Sequence, residues 1–269
     1  MHCTPCAFQS FVISSLMMLV ASTSFAAHPL ITEDTGTVGA GGFQLEVTRD
    51  QVSQTSGGIS LRETSFSAVL SYGLRSNLDL VLAHSEVSVE ERSDGLETAS
   101  RGLADAEIAA KWRIYEQDQW SIALRPSLSL PTGDKNEGLG AGHSIPSLFA
   151  IATREHGPWN VHLHLGLTYD CKAPQGERES ITHASLAATL QANEKWVLVA
   201  DVSRESSLDS NQDAAIASAV VGAIFSPVNY FDIDLGYRSG LNDQSPDDVV
   251  LLGIAVRWSK KSRRNFRRL

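Results

Sequence analysis

Residues 161–167 read Val161-His162-Leu163-His164-Leu165-Gly166-Leu167, so aliphatic side chains occupy every second position. Histidine and glycine fill the positions between them. Successive side chains of a β-strand point to opposite faces, so this stretch would form a strand with one apolar and one polar face. The same alternation occurs at residues 107–114 and 231–238. These stretches predict strands that lie between an apolar and a polar environment.

Alternating segments recur along most of the chain and are joined by connections of two kinds. Roughly twelve segments lie between Phe43 and Trp258. Short links fall at 73–77, 116–119, 156–158, 192–194 and 226–229, and long polar ones at 51–58, 90–101, 131–144, 170–179, 205–214 and 240–248. Short turns at one end, long loops at the other and an even strand number are typical of outer-membrane barrels. The sequence therefore predicts an all-β fold, a transmembrane antiparallel β-barrel of about twelve strands over residues 43–258.

Aromatic residues favour this barrel over a soluble β-sandwich, in which the apolar faces would pack against a second sheet. They cluster near the short links and the last strand, at Tyr72, Tyr115, Trp120, Trp159, Trp196, Phe225, Tyr230, Phe231 and Trp258. Aromatic rings collect at membrane–water interfaces, whereas strand propensity alone would scatter them. Phe66 and Tyr169 are the candidates for the opposite rim. Short turns of such barrels face the periplasm, so the long, acidic loops are expected outside.

The N-terminus predicts export, and the chain is expected in the outer membrane of a Gram-negative bacterium. Residues 8–21 are mostly apolar, and small residues precede a cleavage site after Ala26, which predicts a signal peptide over residues 1–26. Cys3 and Cys6 would leave with it, so the mature chain would keep Cys171 alone and form no internal disulfide. Mean hydropathy is −0.09, and beyond the N-terminus no stretch reaches the roughly 18 apolar residues of a spanning helix.

Two segments flank the predicted barrel. Residues 27–42 contain Pro29 and several glycines, which disfavour helix and central strand, and predict a periplasmic leader or a partial plug. In the plug alternative, Glu33 and Asp34 would meet arginine or lysine in the lumen. Residues 259–269 form a basic tail within a chain of net charge −9. Basic runs can bind nucleic acid, but an exported barrel meets none, so a periplasmic extension is expected.

The inward ionisable side chains are the candidate functional residues, lining the lumen and a path for solute. They are Glu46, Glu107, Lys111, Arg113, Arg125, His162, His164, Asp201, Asp232, Asp234 and Arg238. Their mixed signs disfavour a strong ion filter, which would use rings of one charge. They could equally form a salt-bridged interior that only supports the wall. His162 and His164 were weighed as a metal pair, but no metal, cofactor or catalytic residue is predicted.

An enzyme remains a second possibility from the sequence. His143, His164 and His183 lie near Ser144, Asp170 and Ser185 along the chain, as a hydrolase of lipid or peptide would require. Catalytic triads are recognised by geometry rather than by sequence distance, and there is no Gly-x-Ser-x-Gly motif. A structural barrel without transport is the third possibility.

Three motifs carry a resemblance to a known family. They are residues 28–37, the stretch from Gly102 to Arg113 with its Leu-Ala-Asp core, and Pro131-Thr132-Gly133-Asp134 followed by Gly138-Leu139-Gly140. Together they resemble the outer-membrane barrels described as transporters of the phenol-degradation meta-pathway. This resemblance implies a channel-like barrel that passes small hydrophobic or aromatic compounds. The expected partners are outer-membrane lipid and a small-molecule solute, and the oligomeric state stays open.

Overall fold

The chain forms a single antiparallel sheet with almost no helix in a computed structural model that describes residues 28–56, 59–93, 96–213 and 215–259. The strands are β1 (Gly42–Ser56), β2 (Ile59–Arg75), β3 (Leu78–Ser93), β4 (Leu96–Leu103), β5 (Ala106–Gln117), β6 (Trp120–Leu130), β7 (Ile145–His156), β8 (Trp159–Tyr169), β9 (Ser180–Asn193), β10 (Trp196–Glu205), β11 (Ile216–Val228), β12 (Phe231–Gly240) and β13 (Asp248–Ser259). No helix in these ranges is long and apolar enough to cross a membrane. The predicted signal peptide and the basic tail beyond Ser259 lie outside the described residues.

The sheet closes on itself as a barrel of twelve antiparallel strands, as the sequence predicted. Closure is made by β1, which pairs with β13 from Gly42 opposite Ser259 to Ser53 opposite Asp248. The thirteenth segment arises because one strand is broken: β4 pairs with the outer half of β3 and β5 with the inner half. The two pieces occupy one position in the barrel, and the chain passes between them at residues 104–105.

The short links are confirmed as tight turns, whereas two of the predicted long loops are wrong. Residues 51–58 and 90–101 were expected to be loops, but β1, β2, β3 and β4 continue through most of them. These stretches are rich in polar residues because both faces of a strand that projects beyond a membrane can carry polar side chains, which gives them the composition of a loop. The remaining long connections at 131–144, 170–179, 206–215 and 241–247 are loops.

The two faces of the barrel have opposite polarity. Outward positions expose large apolar side chains such as Leu82, Leu165 and Leu235, while the inward positions His164 and Asp234 are almost fully buried. A soluble sandwich would show the reverse, so the sandwich is excluded. Trp120, Trp159, Trp196, Tyr230 and Trp258 are exposed around the rim of short turns. The opposite rim has Phe66, Tyr169 and Tyr237, of which the last was not foreseen.

The loop of residues 131–144 is fastened to the gap between β4 and β5. Asp105 in that gap accepts hydrogen bonds from the backbone N–H groups of Gly133 at 2.8 Å and Ala141 at 2.9 Å. Leu139 from the loop packs against the inward residues Leu61, Val87 and Val89. Two of the family motifs therefore meet here, and they hold the loop against the inner face of the projecting strands.

Candidate functional site: the barrel interior

Residues 28–41 run through the interior of the barrel, bonded to inward side chains on many strands. Asp201 accepts hydrogen bonds from the N–H groups of Ile31 at 2.8 Å and Thr32 at 2.7 Å. Near the rim of short turns, Asp79 accepts one from Val38 N–H at 2.9 Å. We call residues 28–41 the internal segment. Its backbone donors are satisfied by carboxylates of the wall, which replace the water that they would otherwise bind.

A charged cluster holds the middle of the internal segment. Glu33 pairs with Arg125 at 3.0 Å and with Lys111 at 3.5 Å, and Lys111 also pairs with Asp34 at 3.1 Å. Arg125 makes a second ion pair with Glu107 at 2.5 Å. Glu33 and Arg125 are each only 1% exposed, so both charges depend on these contacts rather than on water. Three of the candidate residues predicted from the sequence, Glu107, Lys111 and Arg125, therefore lie in one cluster. Glu33 and Asp34 of the internal segment complete it.

The start of the internal segment is clamped between two strands. His28 hydrogen-bonds Asp234 through Nδ1, and Asp50 through Nε2 at 3.2 Å. Because the two carboxylates lie on β12 and β1, the imidazole of His28 ties the start of the segment to both strands. A Cβ on Gly236 would lie 2.5 Å from Pro29 and one on Gly222 2.7 Å from it. The wall therefore carries glycine where the segment approaches most closely.

The other candidate residues point inward but do not join this cluster. His162 shares a hydrogen bond of 2.9 Å with Thr153, and Asp232 pairs with Arg257 at 2.6 Å. The ring of His164 packs against that of Phe149, with 4.8 Å between centroids. Arg113 lies at the rim of short turns, where it pairs with Glu116 at 3.2 Å.

Arg238 and Glu46 are the two candidates with the fewest contacts. Arg238 has no hydrogen-bonded or ion-paired partner within the described ranges, although Asp50 and Glu63 act on it electrostatically. Glu46 accepts a hydrogen bond from its neighbour Gln44. Of the two, Glu46 lines an open space inside the barrel.

A cavity of about 550 Å³ lies beside the internal segment, at the end of the barrel where the short turns are. Its wall is formed by β1, β2 and β3, with Val69, Ser71 and Val81 between the carboxylates of Glu46 and Asp79. Phe43, Tyr230 and Trp258 lie at its outer edge. We call this space the vestibule.

Sequence reasoning missed several interior residues. Asp50, Asp79 and Arg257 all contact the internal segment or line the vestibule, yet they were not among the candidates. Counting alternate positions back from Val81 or on from Glu46 would have assigned Asp79 and Asp50 to the inward face. Asp79 stands just after a short turn, and Asp50 just before a stretch that was expected to be a loop.

One interior group has the order of a hydrolytic triad but no space for a substrate. His183 lies 3.1 Å from the hydroxyl of Ser185 through Nε2 and 3.2 Å from Glu205 through Nδ1. Ser185 is 4% exposed, and its oxygen accepts a hydrogen bond of 2.8 Å from Thr32. His143 pairs with Asp170 at 2.5 Å, near the outer loops. Across the described ranges, no three His, Cys, Asp or Glu side chains are arranged to hold a metal ion.

Comparison with known proteins agrees with this architecture. The model of the family named for the MetA-pathway of phenol degradation matches residues 26–258, and the chain belongs to that family. No curated protein matches the sequence.

Solved structures give the same fold at low sequence identity. An outer membrane channel from Pseudomonas putida F1 superposes with a TM-score of 0.69 at 16% identity, over 84% of this chain and 98% of that one. The translocator domain of autotransporter NalP from Neisseria meningitidis gives 0.57 at 14% identity, over 93% and 98%. The NanC porin gives 0.53 at 11% identity, over 79% and 98%. The fold is thus that of an outer-membrane barrel, in agreement with the predicted location.

Proposed function

We propose that this barrel passes small solutes across the outer membrane and that the internal segment narrows the path. The observation that carries the proposal is the vestibule, a cavity of about 550 Å³ with carboxylates in its wall that lies between the segment and β1–β3. A barrel that served only as a wall would have no reason to keep such a space, because native interiors are close-packed. Hydrophobic or aromatic compounds are the solutes that the family connection suggests.

The internal segment is suited to control passage because noncovalent contacts, chiefly ion pairs and hydrogen bonds, hold it against the wall. Its contacts with Asp201, Arg125 and Asp234 lie on different strands, so the segment crosses the lumen rather than following one side. The solute would pass between the segment and the inward faces of β1, β2 and β3, where the vestibule lies. This path is lined by Glu46, Lys111 and Arg125 among the candidate residues.

Liposome swelling tests the proposal. The full chain is compared with a variant that lacks residues 28–40, using uncharged solutes of graded size. We expect the full chain to admit only small solutes and the deletion variant to admit larger ones, several times faster. Equal swelling rates would contradict a restricting segment, and no swelling by either protein would leave a structural role.

A tethered variant provides the control for the position of the segment. The hydroxyl oxygens of Thr32 and Ser185 are 2.8 Å apart, so Thr32→Cys and Ser185→Cys place two thiols for a disulfide. The variant also carries Cys171→Ser to remove the exposed native thiol. The oxidised protein should swell liposomes no faster than the full chain. Failure to form the disulfide would show that the segment does not dock as described.

Hydrolysis is the second candidate function, because Ser185, His183 and Glu205 stand in hydrogen-bonded order. Thr32 covers Ser185, so any such activity would depend on removal of the internal segment. The deletion variant is therefore incubated with a fluorophosphonate that labels activated serines. Labelling that is lost with His183→Ala would favour a hydrolase, and its absence would leave the channel as the function.

A further inference from the structure

The interior of the barrel has more carboxylates than cations to pair with them. Lys111, Arg125 and Arg257 are each ion-paired to carboxylates that they contact directly. In contrast, the described residues place no cation within 4 Å of five inward carboxylates, those of Glu46, Glu63, Asp79, Glu91 and Asp201. The interior therefore carries an excess of negative charge. The low-dielectric wall of the barrel concentrates the electric field of this charge in the lumen.

Two of these carboxylates face the open space of the vestibule. Asp79 is 3% exposed, and its Oδ1 is buried without a hydrogen-bond partner, while Oδ2 accepts the N–H of Val38. Glu46 lies on the other side, two strands away, and accepts only from Gln44 among its described neighbours. Lys111 acts on both electrostatically, but its ammonium group is bonded to Asp34. Oδ1 of Asp79 is closed to direct contact, so Asp79 acts on the vestibule through its charge, whereas Glu46 is partly exposed and can contact a ligand that donates hydrogen bonds or carries positive charge.

The rest of the vestibule suits an apolar body attached to such a group. Val69 and Val81 form the wall between the two carboxylates, and Phe43 and Trp258 stand at the outer edge with parallel rings 5.6 Å apart. Aromatic faces also attract cations. A carboxylate of the same size would find the same apolar wall but would be repelled by both acidic groups.

We propose that the vestibule selects small organic ammonium ions with apolar bodies over carboxylates of the same shape, with Glu46 and Asp79 as the selecting pair. This inference rests on the proposed channel function and specifies the class of solute for the same site. Among the cations that line the vestibule, Lys111 and Arg125 are occupied in holding the internal segment and Arg257 is paired with Asp232, so Glu46 and Asp79 are its unpaired charges.

Two measurements on the full chain test the selectivity. Calorimetric titration with benzylammonium and with benzoate measures binding, and the reversal potential under a potassium chloride gradient across a planar bilayer measures ion preference. We expect benzylammonium to bind about tenfold or more tightly than benzoate, and potassium to be preferred to chloride. The variants are Glu46→Gln, Asp79→Asn and both together. Asparagine at position 79 keeps an oxygen for the N–H of Val38, so the segment stays anchored while the charge is removed.

Asp243→Asn is the matched control, because it removes one charge from an exposed outer loop. The double variant should bring both preferences to within about twofold of unity, and the control should leave them unchanged. Equal binding of the two probes, or a preference that survives the double variant, would overturn the inference. If benzylammonium binds selectively but the bilayer stays silent, the channel function fails and the selective site remains. If the bilayer conducts but shows no preference between potassium and chloride, the channel function stands and the selective site fails.

Discussion

At the scale of single residues, the pair of Glu33 and Arg125 is the strongest determinant of the internal segment. Both are buried, and breaking a buried pair costs about 3–5 kcal/mol because it leaves an uncompensated charge. Arg125 keeps Glu107, so Glu33→Gln should weaken docking by less than that. Hydrogen exchange at the amides of Ile31, Thr32 and Val38 measures the effect, and we expect faster exchange.

The double variant Glu33→Gln/Arg125→Gln tests whether the cost of Glu33→Gln comes from the uncompensated charge of Arg125 or from the lost contact between the two side chains. It removes both members, so exchange at the same amides should be slower than in Glu33→Gln alone. Glu116→Gln is the control, because Glu116 is exposed and pairs with Arg113 outside the segment. Arg125→Gln is also measured alone. If its effect and that of Glu33→Gln simply add in the double variant, the pair does not couple the segment to β6.

The cost of adding a charge to a strand should depend on whether the side chain faces lipid or the lumen. Leu165 faces outward at the middle of β8, so Leu165→Arg should cost about 2–4 kcal/mol in refolding into lipid. Ser71→Arg adds the same side chain within the vestibule, where water can reach it, and should cost far less. His164 is also inward but is unsuitable as the control, since it is fully buried against Phe149. Similar penalties at positions 165 and 71 would contradict the assigned faces.

At the scale of elements, Asp105 connects the broken strand to the loop of residues 131–144. Asp105→Ala would leave the partly buried N–H groups of Gly133 and Ala141 without their acceptor, at a cost of about 0.5–1.5 kcal/mol for each hydrogen bond. The loop should become sensitive to protease while the barrel keeps its thermal stability. Asp134→Ala is the comparison, because among the described residues the Asp134 side chain accepts only the N–H of the nearby Asn136 and caps one short turn. Equal resistance of Asp105→Ala and the native chain would contradict the fastening role.

The elements also show how far the sequence could predict this molecule. Alternation and turn spacing were sufficient for strand number, closure and the tight turns, because they depend on local periodicity. The extended β1–β4 could not be told from loops, since a strand outside the membrane loses its apolar face. The alternation of side chains along each strand predicted which charged residues face inward. It could not predict which of them pair with one another. The pairing of Glu33 with Arg125 depends on the path of a segment that has no periodicity of its own.

At the scale of the whole molecule, the barrel is taller on one side than on the other. β1, β2 and β3 have 15, 17 and 16 residues, whereas β8, β10 and β12 have 11, 10 and 10. The averages differ by roughly six residues, which at about 3.3 Å per residue makes β1–β3 about 19 Å longer along their own axes. The loop of residues 131–144 lies inside this projection, and the vestibule lies at the other end of the same strands. One side of the wall thus borders both openings of the proposed path.

The orientation of the barrel in the membrane can be tested with the native thiol of Cys171. It is exposed in the connection of residues 170–179, opposite the rim of short turns, so a membrane-impermeant maleimide should label it in intact cells. In a Cys171→Ser background, Glu90→Cys should be labelled from outside, because it faces outward on the projecting part of β3. Leu165→Cys should be protected by lipid in the same background. Labelling of Cys171 only after the outer membrane is permeabilised would reverse the orientation, and the vestibule would then open to the outside.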